Sequence, residues 1–484
     1  MATTMRPPAT APVLDAAFVS AFRAGTLTER QADDFANRDP LELRFLLLQL
    51  SLVIAAGAVP VGTHTPSGSL PPYAKPNAEP RKLTKKRGAK PGHPGTARPT
   101  PERIDHHVEH RLPACPCCQG PLTRTKRTRI RYIEDIPADL SAEATAHTIH
   151  RDWCPACKKQ VEPVVPDALP ACTLGHRTTV LSAWLHYGLG NTTSQITAVF
   201  NGHLQLKISE GGLTEIWHRL AGVLTPWHDE IHRRCRTAAV LHADETGWRT
   251  NGLLAWLWCF ACDDATYYLI HPKRGHEALR VFFTEAFLGV LVTDFWKAYD
   301  VVTDRQQKCW PHLLRELAAI DDGRENGEDW PDFSKKLWRL YGDAVRLEAG
   351  IEAMTQDTCA GRVARLHVRI TDLAVHPWAN PHARRLAKRL LGYGEDLLRF
   401  LEVEGVPSSN NKAEREIRPA VLMRKASYGS ATDKGAETRS VLMSIYRTLK
   451  QRGLDPLQET ETALRQYMQT GQLPPLPTKI SSGG

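Results

Sequence analysis

Two aspartates stand just beyond short apolar runs: Asp244 follows Ala238–Leu241 in "AAVLHADETGW", and Asp294 closes "GVLVTD". Runs of this kind, bounded by turn signals, read as buried strands. Where two such strands lie side by side, their carboxylates meet at one edge of the core, and close negative charges are costly there unless a cation sits between them. Magnesium suits the place, being hard, oxygen-seeking and prone to keep water and a substrate phosphate in its shell; manganese is the stand-in. A third acid is expected from a helix after the sheet. "SNNKAEREIRPAVLMRK" (Ser409–Lys425) supplies it as Glu414, on one helical stripe with Ile417 and Val421 and ringed by Lys412, Arg415 and Arg418. Ser409 or Asn410 reads as the cap of that helix, and Pro419 as a limit on its straight continuation.

The remaining acids and aromatics of this region have plainer readings. Alternation turns Glu245 to the opposite face from Asp244, Asp263 and Asp264 make a hairpin turn, and Asp300 and Glu316 stand outside the chosen trio. Trp248, Trp256, Trp258, Trp296 and Trp310 read as core, although Trp248 and Trp296 follow the aspartates closely enough to stack on an unpaired base.

A second constellation lies upstream. "CPCC" (Cys115–Cys118) and "CPAC" (Cys154–Cys157) are paired CxxC knuckles, and Cys115, Cys118, Cys154 and Cys157 can close a tetrahedral zinc shell, with Cys117 or a neighbour as the spare thiol. Between the knuckles a strand reading puts Arg127, Arg129 and Arg131 on one face. Before them "RKLTKKRGAK" places Arg81, Lys82, Lys85, Lys86, Arg87 and Lys90 within ten residues and no acid, a run able to track phosphates by charge. Segments Asn191–Phe200 and Ser209–Leu220 have the outline of a helix-turn-helix.

The elements that must position these groups follow from periodicity. Ala238–Leu241, "LLAWLWCFA" and "TYYLI" predict three consecutive antiparallel strands, then a helix over His276–Phe287 and the strand ending at Asp294. The net charge of +9 over 484 residues favours a polyanionic partner, namely DNA. Paired knuckles among the 11 cysteines and no secretory start point to a reducing cytoplasm. The apolar stretch Leu41–Ala56 carries charges and falls short of the roughly 20 residues of a bilayer span, so no membrane is expected.

Taken in order, "KRGAKPGHPG", the paired knuckles, "HADETGW", "LVTDFWKAYD", "KCWPHLLREL", "NNKAEREIRP" and "GAETRSVLMSIYRTLKQRGLDP" resemble the IS66 family of bacterial insertion-sequence transposases over residues 85–460. The resemblance implies a multidomain α+β chain with a ribonuclease-H-like α/β catalytic core. A helical insertion interrupts that core, and a zinc ribbon and helical DNA-binding segments precede it. The implied division is an N-terminal helical unit (1–56), a basic Pro/Gly-rich linker (57–100), a zinc-binding domain (101–170), a helix-turn-helix-like segment (171–232), the first part of the core (233–320), the insertion (321–405), the Glu-bearing helix and end of the core (406–450) and a tail (451–484). By motif match the DDE triad falls on Asp244, Asp294 and Glu414, and "CWPH" resembles a CxxH signature that gives His312 a supporting role. The implied activity binds element ends, cuts them to free 3′-hydroxyls and joins these to target DNA, using two magnesium ions about 4 Å apart. Synapsis of two ends implies a homodimer or larger assembly at the bacterial nucleoid, with small accessory proteins from the same element as further partners. A metal-dependent nuclease of the same fold and a catalytically silent DNA-binding descendant are the competing readings.

Overall fold

In a computed structural model of the chain, residues 28, 33, 100–123, 130–133, 140–323 and 327–478 are described. The chain divides into two compact units, Met1–Ala78 and Glu79–Gly484, and every described residue except Thr28 and Asp33 belongs to the second. The N-terminal helices, Arg81, Lys82, Lys85, Lys86, Arg87, Lys90, Arg127 and Arg129 lie outside the described residues. The protein is a mixed α+β chain with two sheets.

The smaller sheet is a hairpin of β1 (Asp152–Cys154) and β2 (Lys159–Val161) wrapped around the second knuckle. The described residues between the knuckles, 130–133 and 140–150, carry no strand, so the expected arginine-bearing strand is not found there; Arg131 is simply exposed. Three helices follow. α1 (His176–Ala183) runs into a short π-helical turn, and α2 (Thr193–His203) starts at a capping box in which Thr192 and Gln195 exchange side-chain and backbone hydrogen bonds. α3 (Glu210–Arg236), capped by Ser209, is far longer than the segment read as a recognition helix, because its buried stripe of Leu213, Trp217, Leu220, Leu224, Trp227 and Ile231 keeps helical spacing throughout.

The larger sheet has five strands: β3 (Val240–Thr250), β4 (Leu253–Ala261), β5 (Thr266–His271), β6 (Val290–Thr293) and β7 (Gln306–Lys308), in the spatial order β5-β4-β3-β6-β7. β3, β4 and β5 form the expected antiparallel meander, whereas β6 and β7 run parallel to β3. The crossover to β6 carries α4 (His276–Phe282), shorter than the helix expected there. β3 does not stop at Asp244. It continues six residues to Thr250, because its pairing with β4 extends from His242↔Ala261 to Thr250↔Leu253.

Side chains of β6 alternate between two apolar cores. Leu291 belongs to the one built with α3 and β3–β5, while Val290 and Val292 pack with the helices that follow the sheet. Those helices are α5 (Trp310–Asp321), α6 (Trp330–Ala349), α7 (Gln356–Val375), α8 (Pro381–Tyr393) and the single turn α9 (Arg399–Glu402). α10 (Asn411–Ser427) then returns to β3 and β4, continuing through Pro419, and α11 (Asp433–Gln451) covers the outer edge of the sheet. The edge N–H groups of Thr266 and Tyr268 donate to Thr448 Oγ1 (3.1 Å) and Ser444 Oγ (2.9 Å), so hydroxyls of α11 satisfy β5 where a sixth strand would otherwise dock. α12 (Pro456–Thr470) closes the chain against α1.

Two buried histidines are held neutral by this packing. His186 Nδ1 faces Asn191 O at 2.7 Å while Nε2 takes the guanidinium of buried Arg439 at 2.8 Å, and burial followed by that cation pushes its pKa down to about 3. Burial likewise lowers His242 to about 4. Depressed values mean stability that is complete above the ordinary pKa of 6.5 and is lost as pH falls toward 4. Urea unfolding at pH 7.5 and 5.5 should therefore show a loss of about 1 kcal/mol per histidine. A His242→Gln chain should lose less between the two pH values, and equal losses in both chains would refute the assignment.

Candidate active site

The parallel pairing of β3 with β6 matches Val240 to Val290, Leu241 to Leu291 and His242 to Val292. The same offset carried forward brings Asp244 level with Asp294, just past the last paired residues. Each carboxylate has one oxygen occupied by its own backbone: Asp244 Oδ1 accepts from Glu245 N at 2.9 Å, and Asp294 Oδ1 accepts from Trp296 N at 2.8 Å. Burial raises the Asp244 carboxyl well above its usual range, and the charges of Glu245, Asp294 and Glu414 raise it further. Asp244 thus lies within electrostatic reach of both Asp294 and Glu414. Among the described residues neither aspartate has an ion-pair partner.

Glu414 reaches this place through Asn410. The buried Asn410 is the residue before α10, but its side chain does not cap that helix. Its Nδ2 instead donates to Ala243 O (2.8 Å), its Oδ1 lies 3.1 Å from His242 Nδ1, and its backbone N–H donates to Cys309 Sγ (3.1 Å). Cys309 N donates in turn to Thr293 O (2.9 Å), and Trp310 N to Ser408 O (3.0 Å). Ala243 and Thr293, next to the two aspartates, and Asn410, one turn before Glu414, are therefore tied into one hydrogen-bonded knot. One turn into α10, Glu414 Oε1 meets Arg315 at 2.8 Å and His312 Nε2 at 3.5 Å. Sequence reasoning missed the reach of Asn410 into the sheet, and Arg315 altogether; the doubled asparagine of "SNNKAERE" was the available signal.

The neighbouring acids are each committed to a cation. Glu245, on the other face of β3, is buried against Arg274 (3.0 Å) and the Tyr299 hydroxyl (2.5 Å), and burial raises its carboxyl to about 7. Arg274 is itself stacked between Trp256 and Trp296, at 4.5 and 4.3 Å from the ring centres. Asp300 meets the buried Lys308 (3.3 Å) and the Tyr393 hydroxyl (2.7 Å), and Glu316 meets Arg385 and Arg389. Asp264 pairs with Arg234 and Arg452, and Asp263 with Lys412. Trp248 does not stack on any ligand: it is 1% exposed and donates to Ser430 Oγ at 3.2 Å. Arg415 and Arg418 point to solvent from α10.

In the knuckles, amides turn toward the leading thiol. Cys115 is held below the ordinary thiol range first by the N–H groups of Cys118 and Cys117, and Cys154 first by that of Cys157, which lies at 3.4 Å. N–H groups aimed at sulfur suit a thiolate and hence a metal. Three ligand-type atoms lie within 4.8 Å of one another at Cys309, His312 and Glu414, and among the described residues nowhere else, so neither the two knuckles nor the three acids Asp244, Asp294 and Glu414 are gathered into one shell.

Residues 172–438, more than half of the chain, match the model of the IS66 family of transposases. The chain belongs to the IS66 transposase family. Relatives of this IS66 transposase include the uncharacterized protein y4jD of Sinorhizobium fredii, 25% identical over an alignment 397 residues long, with 73% of this chain and 74% of that one covered. The protein y4hP of the same organism is 21% identical over 383 residues, covering 71% and 68% of the two chains. The family match takes in all five strands of the larger sheet, α10 and the start of α11, and leaves the knuckles outside.

Removing the joint should loosen the transposase without touching its acids. Asn410→Ala leaves Ala243 O and His242 without their buried partner, and urea unfolding should register a loss of about 2 kcal/mol. A change below about 0.5 kcal/mol, the range of ordinary surface substitutions, would show that the knot is held elsewhere.

Proposed function

We propose that this transposase is a DDE enzyme whose ribonuclease-H-like core is the five-stranded sheet with α10. It binds element ends, cuts them to free 3′-hydroxyls and joins those to target DNA. The reading is supported by the parallel register of β3 and β6, which continued past its last pair sets Asp294, just beyond β6, level with Asp244, and by Glu414 lying close enough to raise the Asp244 carboxyl further. Support for the core comes from its strand order, an antiparallel meander followed by two parallel strands, and from the helices α5–α9 that intervene before α10. On this reading residues 233–320 and 406–450 form the core and 321–405 the insertion.

The donor set fits a hard divalent ion: three carboxylates, two of them without ion-pair partners among the described residues, and an Asp244 carboxyl raised first by burial and then by its acid neighbours, a cost that a cation would relieve. Asp244, Asp294 and Glu414 would hold magnesium or manganese, which supplies an activated oxygen nucleophile and stabilises the leaving oxygen at phosphorus. The chain's own contribution is placement. Asn410 holds α10 against β3, so Glu414 stands at a fixed distance from the aspartates. Arg274, locked between two tryptophans, neutralises Glu245 so that its charge does not compete for the ion. His312, beside Glu414, orients that carboxylate. Arg415, Arg418 and Lys412 offer positive charge to the phosphate backbone, as do the basic run Arg81–Lys90 and the arginines Arg127, Arg129 and Arg131. Cys115, Cys118, Cys154 and Cys157 would take zinc, whose binding would draw the two knuckles together in a domain of residues 101–170. α2 and α3 form the helix-turn-helix-like part of a segment over 171–232, and pairing of two ends calls for at least a dimer.

The test is incubation of the full chain with magnesium and duplexes of the element ends, reading new 3′ termini and joined products. Joined products are expected; nicks alone would make the protein a nuclease. Asp244→Ala should abolish both products and leave end binding intact, and an Asp244→Ala chain that cuts like its parent would end the assignment. The same substitution removes one of three mutually repelling acids. Without metal it should therefore melt above its parent, and magnesium should raise the melting temperature of the parent alone.

A further inference from the structure

We propose that Cys309, His312 and Glu414 form a second metal site, selective for zinc-like ions, that takes Glu414 away from the magnesium set and holds the enzyme in a non-cutting state. Cys309 and His312 stand three residues apart across the start of α5, on one helical face, and Glu414 meets them from α10. Their sulfur, nitrogen and oxygen ligand atoms all lie within 4.8 Å of one another. A tetrahedral ion with bonds of about 2.0–2.3 Å spaces its ligand atoms roughly 3.3–3.8 Å apart. The 3.5 Å between His312 Nε2 and Glu414 Oε1 already equals such an edge.

The donor set decides which ion. Thiolate and imidazole select zinc over magnesium, which prefers oxygen throughout, and three protein ligands leave a fourth position for water. Access is through the half-buried side, since the side chains of His312 and Glu414 are 32% and 24% exposed while Cys309 forms the floor. Arg315, which holds Glu414 at 2.8 Å, is the cation that zinc would supplement or displace. Metal binding rests on this geometry alone. The block on cutting rests on the proposed role of Glu414 as a magnesium ligand.

The test uses the reduced full-length chain, stripped with chelator and titrated with cobalt(II), whose thiolate bond gives a near-ultraviolet charge-transfer band. Cys309→Ser and the half-exposed His312→Gln should each bind one equivalent fewer than the parent, and zinc should displace that equivalent. Cys115→Ser should keep it, which separates this site from the knuckles. Unchanged stoichiometry and spectrum in both Cys309→Ser and His312→Gln overturn the site. In magnesium-driven cutting, zinc should stop the parent, whereas Cys309→Ser should keep its own zinc-free rate; equal zinc sensitivity overturns the competition. A parent that takes up cobalt at Cys309 yet never cuts DNA supports the metal site and counts against the cutting reading instead.

Discussion

The charge that Asp294 and Glu414 bring to bear on Asp244 is the constraint around which this part of the fold is arranged. Three carboxylates drift apart unless the backbone that carries them is held from outside, and here the holding is done next to Asp244 and Asp294 and one helical turn before Glu414. Asn410 donates through Nδ2 to Ala243 O and through its backbone N–H to Cys309 Sγ, and Cys309 N donates to Thr293 O, bonds that leave out the acid side chains. The buried Asn410 can make those bonds because β3 and α10 arrive in contact there, and both are fixed by apolar packing. Ile417, Ala420 and Met423 of α10 share one core with Leu241 and Ala243 of β3. Hydrophobic burial thus opposes a local electrostatic cost, and the hydrogen bonds set its geometry.

The second core extends the same logic to the other strand. β6 is only four residues long, too short to be held by ladder hydrogen bonds alone. Val290 and Val292 pack among Trp310, Leu313, Leu317 and Phe333, so the helices after the sheet clamp β6 from the face opposite Leu291. Beneath them Trp310 and Gln307 reach Leu397 O at 2.6 and 3.3 Å, which anchors β7 and the start of α5 to the far end of the helical stretch. A region that adds no acid to the trio therefore still decides where Asp294 stands.

Much of this was legible from residue order, and the limits have physical causes. Apolar runs followed by aspartate announce strands because burial on both faces removes polar alternation, and β4, β5 and β6 lie where those runs do. The extent of β3 was not legible, since residues past Asp244 are mixed in character and are held in the strand by pairing with β4, a long-range effect. Asn410 was read as a helix cap because capping and cross-sheet bonding use the same amide; only the tertiary contact decides between them. Trp248 looked available for stacking by its nearness to Asp244, but four residues along a strand return to the same face at a different depth, under Ser430. The knuckles were legible as motifs. Their convergence was not, and the four thiols do not meet in the structure.

Partnership separates the structural acids from Asp244 and Asp294 more sharply than position does, whereas Glu414 is itself paired with Arg315. Glu245 sits next to Asp244 in sequence and is as deeply set, yet Arg274 and Tyr299 compensate it on its own face of β3. Asp300 lies six residues from Asp294 and is compensated by Lys308, a buried amine whose pKa burial lowers while Asp300 and Asp294 raise it. Asp244 and Asp294 stand between these two neutralised pairs with backbone N–H donors and no cation of their own. Arg274 and Lys308 pair with the flanking acids, although the charge of Glu245 still acts on Asp244. The acids that lack partners are consequently the ones a cation would seek, and this holds whichever ion arrives.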